Sequence, residues 1–159
     1  MRLRRPDLLL DVDGVLLPLG DRGDVPLVRV PGHEHLRYRA ETPARLRRLS
    51  EVFRLVWATT WEEEANEVLA PLFGLPPLPV IMFGNEASLG DSWKLPAIRR
   101  FVVDRPFAYV DDDIGDVAAV WAEHRPQPTL LLPIPGDRGL GAGDEGRLLT
   151  FASAATEQR

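Results

Sequence analysis

The stretch that decides the fold is Leu8-Leu9-Leu10-Asp11-Val12-Asp13-Gly14-Val15. Leu8 to Val12 reads as a short buried strand, because a continuous apolar run ending in acid is the pattern of a strand inside a parallel sheet. Asp11 and Asp13 lie two positions apart, so in extended backbone both would point to one face, and Gly14 lets the chain loosen there. In open parallel sheets ligands gather beyond the carboxyl ends of the strands. The two acids therefore fall where chemistry is expected.

Working outward, Gly14 to about Ala40 is rich in Gly, Pro and Asp and reads as a loop carrying a small hairpin near Val25 to Val30, a flap region over about 15–40. Thr42-Pro43 supplies a cap and first helical position, and Ala44, Leu46 and Leu49 continue a helix. Phe53 to Ala58 is a second buried strand ended by Thr59 and Thr60. Trp61-Glu62-Glu63-Glu64 then opens a helix whose acids favour its N-terminal dipole. After Pro76-Pro77 a third strand is expected near Pro79 to Phe83. Ser92 caps a helix over Trp93 to Val102. Phe107 to Val110 is a fourth strand, Asp111-Asp112-Asp113 precede a helix to about His124, and Thr129 to Leu132 is a fifth strand. Gly136 to Gly146 reads as a glycine-rich loop, and Leu148 to Ala155 as a closing helix. Strands alternating with helices predict an α/β, Rossmann-like three-layer sandwich with a central parallel sheet of about five strands.

The 159 residues fit one domain spanning 1–159, with 45% apolar and 27% charged residues, the balance of a soluble globular chain. With no cysteine there is neither a disulfide nor a thiolate metal site, which suits the cytoplasm. Met1-Arg2-Leu3-Arg4-Arg5 before the leucines imitates a secretory signal, but Asp11 and Asp13 interrupt the apolar run. No stretch approaches the ~20 apolar residues of a membrane span. A net charge of −5 disfavours broad binding to nucleic-acid backbone. The clusters Arg45, Arg47, Arg48 and Arg99, Arg100 read as solvated helix faces.

Asp11 and Asp13, Thr59 and Thr60, and Asp111 and Asp112 all fall at or just past strand ends and should converge on one rim. Crowded carboxylates raise one another's pKa unless a cation neutralises them. Oxygen donors with no Cys and few His favour magnesium over zinc or copper, and magnesium binds and polarises phosphate. One acid can attack phosphorus to form an acyl phosphate, while the other protonates the leaving oxygen and later deprotonates water.

Asp11-Val12-Asp13-Gly14-Val15 after an apolar strand resembles the first motif of the haloacid dehalogenase-like superfamily of phosphohydrolases. The remaining motifs follow in order. Val56-Trp57-Ala58-Thr59-Thr60 resembles the second, whose Thr or Ser binds the transferring phosphoryl group. Lys94 in Ser92-Trp93-Lys94-Leu95-Pro96 resembles the third, the lysine that offsets charge on nucleophile and phosphate. Tyr109-Val110-Asp111-Asp112 resembles the fourth, whose acids hold magnesium, with Asp116 as a later acid. The resemblance implies a phosphatase with catalytic Asp11, Asp13, Thr59 and Lys94, and a substrate cradle of Gly14, Thr59, Thr60 and Trp61. It also implies a Mg2+ held by Asp11, Asp112 or Asp111, and the main-chain carbonyl of Asp13. Thr59 competes with Thr60, and Asp111 with Asp112 and Asp113. Asp13 points to phosphoryl transfer, since relatives that cleave carbon–halogen bonds lack an acid there. The substrate is a phosphate ester, small or macromolecular, and a neighbouring subunit in an oligomer could supply a lid over the open site.

Each residue has a plainer reading. The acids could be turns, Thr59 and Thr60 a helix cap, Lys94 a solvent-facing helix residue. His33 and His35 share a face but lack a third ligand, so they belong to the flap. Trp57, Trp61, Trp93 and Trp121 are packing residues, Trp61 being the exception next to the second motif. The competing function is a non-catalytic relative that binds phosphate or a protein partner, although intact Asp11, Asp13 and Lys94 count against it, since a binding module needs no general acid. A receiver domain is excluded by order, because its acid pair comes early and its lysine late.

Overall fold

β1 (Asp7–Leu10) is fully buried and has a parallel neighbour on each side. One is β4 (Arg54–Trp57) and the other is β5 (Phe107–Asp111), which in turn pairs with β6 (Thr129–Pro133). The computed structural model describes residues 4–20, 23–84 and 92–157, so Met1-Arg2-Leu3 of the signal-like start lies outside them. Sheet order is β4-β1-β5-β6. From β1 the chain steps out to β4, then crosses back over β1 to reach β5. That reversal puts the topological switch point between β1 and β5, the place where such sheets open a crevice.

Alternation along the strands divides the core between the two faces of the sheet. Leu8, Leu10, Leu55, Trp57, Ala108 and Val110 pack on one side, with Leu46 and Leu49 of α1 (Thr42–Val52) and Leu148 and Ala152 of α5 (Ala142–Glu157). Leu9, Val56, Phe107 and Tyr109 pack on the other, with Ala97, Ile98 and Val102 of α3 (Leu95–Val102). Trp121 of α4 (Asp116–Glu123) packs against that second face. The three-layer α/β arrangement expected from the sequence is thus present. Among the described residues no helix is long and apolar enough to cross a membrane.

The main sheet has four strands, not five. Pro79 to Phe83 lies beside β4 but makes only one isolated bridge, Trp57 with Val80. Trp57 N–H donates to Pro79 O and Ile81 N–H to Trp57 O, both at 2.9 Å. Prolines at 76, 77 and 79 donate no N–H, which stops the ladder from spreading.

Four helix readings change as well. Ser92 does not cap α3, which begins at Leu95 with Lys94 as its cap residue. Glu41, not Thr42, is the cap residue of α1. Trp61 to Glu63 form a turn, and a π-helical turn (Ala65–Leu69) leads into the short α2 (Ala70–Leu72). The glycine-rich segment is partly helical, since α5 begins at Ala142. There Asp144 reaches back to accept Gly141 N–H at 2.8 Å, satisfying an amide at the helix start.

Ion pairs tie neighbouring elements together, and Arg45, read above as part of a solvated face, is buried in one of them. Glu145 of α5 accepts Arg45 Nε at 2.9 Å and Arg48 Nε at 2.6 Å, both from α1. At the amino end of the sheet Asp7, 0% exposed, is gripped by Arg54 and Arg105. The flap contains the expected hairpin, reduced to β2 (Leu27–Val28) and β3 (Leu36–Arg37). Tyr38 anchors it edge-on to Phe73 at 5.2 Å.

Candidate functional site

The turn after β1 is tight. Val12 O accepts the amides of Val15, Leu16 and Leu17 at 3.1, 2.9 and 3.0 Å. Gly14 makes this possible with φ of +81°, and its missing side chain matters too. A Cβ there would lie 2.5 Å from Asp112 Oδ2, so the glycine lets the loop press directly on that carboxylate. Gly136 approaches the same oxygen, with a Cβ distance of 3.0 Å.

Asp11 and Asp111 are buried at the ends of adjacent strands, and Asp112 is the least buried of the three. Each offers a carboxylate oxygen, and these oxygens lie within 4.8 Å of one another. Lys94, at the start of α3, enters this cluster. Its Nζ donates to Asp11 Oδ1 at 3.0 Å, to Asp111 Oδ2 at 2.7 Å and to Ala58 O at 2.9 Å. The rings of Phe83 and Trp93 each lie 5.7 Å from the ammonium, shielding it from water. Lys94 is therefore not a solvent-facing helix residue. One ammonium ties together the carboxyl ends of β4, β1 and β5.

Asp111 carries further donors. Tyr109 O–H donates to Oδ2, and Asp113 N–H donates to Oδ1 at 2.9 Å. Burial pushes the Tyr109 phenol up, and the adjacent Asp111 charge pushes it further, so it stays a proton donor. Burial likewise raises Asp11 to about 8, with Lys94 opposing and Asp111 reinforcing the shift. Asp112 is raised by burial and by its hydrogen bond with Asp111. One lysine does not satisfy this concentration of acid.

The other sequence candidates fall around this centre. Asp13 is exposed, and its Oδ2 accepts Trp61 Nε1–H at 3.0 Å, so its carboxylate is separate from the three-acid cluster. Thr59 is 1% exposed, and its Oγ1 accepts Trp61 N–H at 3.2 Å, while Thr60 is exposed. Asp113 and Asp116 are exposed, the latter opening α4. His33 stands 3.9 Å from Glu64, linking the flap to the turn after β4. Trp57 and Trp121 are packing residues, as expected. Tyr109 and Gly136 have no role in the sequence reading. Tyr109 had a signal: it shares a strand face with Asp111 two positions on. Gly136 had none.

Three carboxylates with no thiol or imidazole among them form a hard oxygen donor set that could hold a metal ion, and such a set fits a hard cation better than a soft one. No protein-family model matches the chain, and no curated protein matches it either.

Proposed function

We propose that the chain is a magnesium-dependent phosphohydrolase of the haloacid dehalogenase-like kind, transferring the phosphoryl group of a phosphate ester to Asp11. The observation that carries this reading is Lys94 Nζ between Asp11 and Asp111, in an acid cluster at the switch point of a parallel sheet. A lysine buried among acids offsets charge where more negative charge must arrive.

Asp11 is the nucleophile. Lys94 binds its Oδ1, fixing the carboxylate and favouring its ionised form. Asp11 and Asp112 would hold Mg2+, joined by the main-chain carbonyl of Asp13. Asp111 already receives Lys94, Tyr109 and Asp113 N–H, and this suits it to anchoring the lysine more than to ligating metal. Bound Mg2+ supplies positive charge that lowers the acids' pKa values and polarises the phosphate oxygens.

In the first half-reaction an Asp11 oxygen bonds to phosphorus as the ester P–O bond breaks. Asp13 gives its proton to the departing oxygen. In the second, Asp13 takes a proton from water as that water attacks phosphorus, releasing inorganic phosphate and restoring Asp11. Asp13 suits both steps because it is exposed, whereas Asp11 is buried. Thr59, at the end of β4, and the Gly14 turn cradle the phosphoryl oxygens.

Hydrolysis of p-nitrophenyl phosphate, with and without Mg2+, tests the reading. Wild type should turn over only with the metal and Asp11→Asn should not; equal rates for the two proteins would sink it.

A further inference from the structure

Asp13 and Trp61 follow different strands, 48 residues apart in sequence, and meet through one hydrogen bond from the indole N–H to Oδ2. Trp61 is held from several sides. Its ring packs against the core cluster that includes Leu10 and Trp57. Its main-chain N–H donates to Thr59 Oγ1, and its carbonyl accepts Glu64 N–H at 3.0 Å. Glu62, the next residue, has φ of +49°, a left-handed conformation uncommon outside glycine. Strained residues and π-turns of this kind persist where the surrounding structure imposes them. Here Glu62 directly follows Trp61, and the π-helical turn begins at Ala65.

The two partners differ in freedom. Asp13 is exposed, so its side chain would sample several staggered rotamers if nothing held it. Trp61 is a rigid ring with one donor and no acceptor. A protonated carboxyl has one hydroxyl oxygen and one carbonyl-type oxygen, and the latter is the better acceptor. An N–H on Oδ2 therefore leaves the acidic proton to Oδ1.

Resting on the phosphotransfer reading, we propose that Trp61 is a positioning residue for the general acid. Its indole N–H holds Asp13 Oδ2, so that Oδ1 presents its proton to the leaving oxygen. As the bond from Asp11 to phosphorus forms and the ester P–O bond breaks, the electron pair goes to the leaving oxygen, which takes the proton from Oδ1. A general acid turned away from that oxygen contributes nothing, so orientation is read directly in the rate of the proton-dependent step. Trp is suited to this role because its apolar body packs while its N–H stays in reach of a polar partner.

Trp61→Phe keeps a ring and removes the donor. It should be compared with wild type, Asp13→Ala and the double variant, each with Mg2+, on two monoesters. p-Nitrophenolate leaves without a proton, whereas an alkoxide needs one. Trp61→Phe should lower kcat/KM, which reports the steps up to phosphoryl transfer, about tenfold more on an alkyl phosphate than on p-nitrophenyl phosphate. In the Asp13→Ala background the second substitution should add nothing. Equal losses on the two esters, or additive losses in the double variant, would overturn the role. If wild type hydrolyses neither ester, or Asp13→Ala shows no leaving-group dependence, the phosphotransfer reading falls and takes this inference with it. Should Trp61→Phe fail to fold, the indole N–H resonance gives a second measurement. Asp13→Ala must shift it, and an unmoved resonance overturns the assignment.

Discussion

Lys94 Nζ lies 3.0 Å from Asp11 Oδ1, although 83 residues separate them along the chain. The contact exists because α3 begins beside the end of β4, so the ammonium can reach Ala58 O and both acids at once. Burial alone would lower the lysine's pKa, but Asp11 and Asp111 outweigh it and hold the pKa above its usual value. The lysine is charged, and it offsets part of the negative charge that Asp11, Asp111 and Asp112 concentrate there.

Lys94→Met should therefore do two separable things. Removing one partner of a buried ion pair costs about 3 kcal/mol, because the remaining charge is left uncompensated. Urea unfolding should show that loss without metal, and a partial recovery when Mg2+ is added. Turnover should fall about 100-fold even where the protein is folded, since the charge facing the phosphate is gone. A folded variant with unchanged rate would contradict the role of Lys94.

Gly14→Ala tests how closely the loop presses on Asp112. The new Cβ would sit 2.5 Å from Oδ2, at a backbone φ of +81° that alanine resists. Asp112 must move, so Mg2+ affinity measured by calorimetry should weaken about tenfold, with a loss of about 1 kcal/mol in stability from the backbone conformation. Unchanged metal affinity would remove Asp112 from the proposed ligand set.

A pH effect on stability is expected at the opposite end of the sheet. Burial would raise Asp7, but hydrogen bonds and charge from Arg105 and Arg54 win and hold it below 3.8. A carboxylate depressed in the folded state stabilises above its unfolded value and loses that contribution as pH falls through its folded value. Stability by urea titration should therefore drop below pH ~4 more steeply in wild type than in Asp7→Asn. Parallel slopes for the two proteins would contradict the assignment.

Four strands were legible because each is an apolar run, three of them ended by polar residues, as at Leu10-Asp11 and Ala58-Thr59, and the fourth by Pro133. Pro79 to Phe83 carries the same pattern, but apolarity reports burial and not pairing, and pairing needs the N–H groups that proline lacks. The start of α5 was hidden by its glycines. Gly143 and Gly146 face open space, so each costs the helix only about 1 kcal/mol of propensity, while Asp144 and Glu145 anchor it. At the site, the meeting of Asp11, Lys94, Asp111 and Asp112 followed from the rule that parallel strands end on one rim. The bond between Trp61 and Asp13 did not, because it depends on a turn whose left-handed residue is a glutamate, a type that carries no turn signal.

The central claim is a covalent phosphoryl group on Asp11. Borohydride reduces an aspartyl phosphate to homoserine, so the protein should be quenched with it during Mg2+-dependent turnover of p-nitrophenyl phosphate and its peptides read by tandem mass spectrometry. Homoserine at position 11, absent without substrate, is the predicted result. An unmodified Asp11 in a protein that is turning over, or homoserine at Asp13, Asp111 or Asp112 instead, would contradict it.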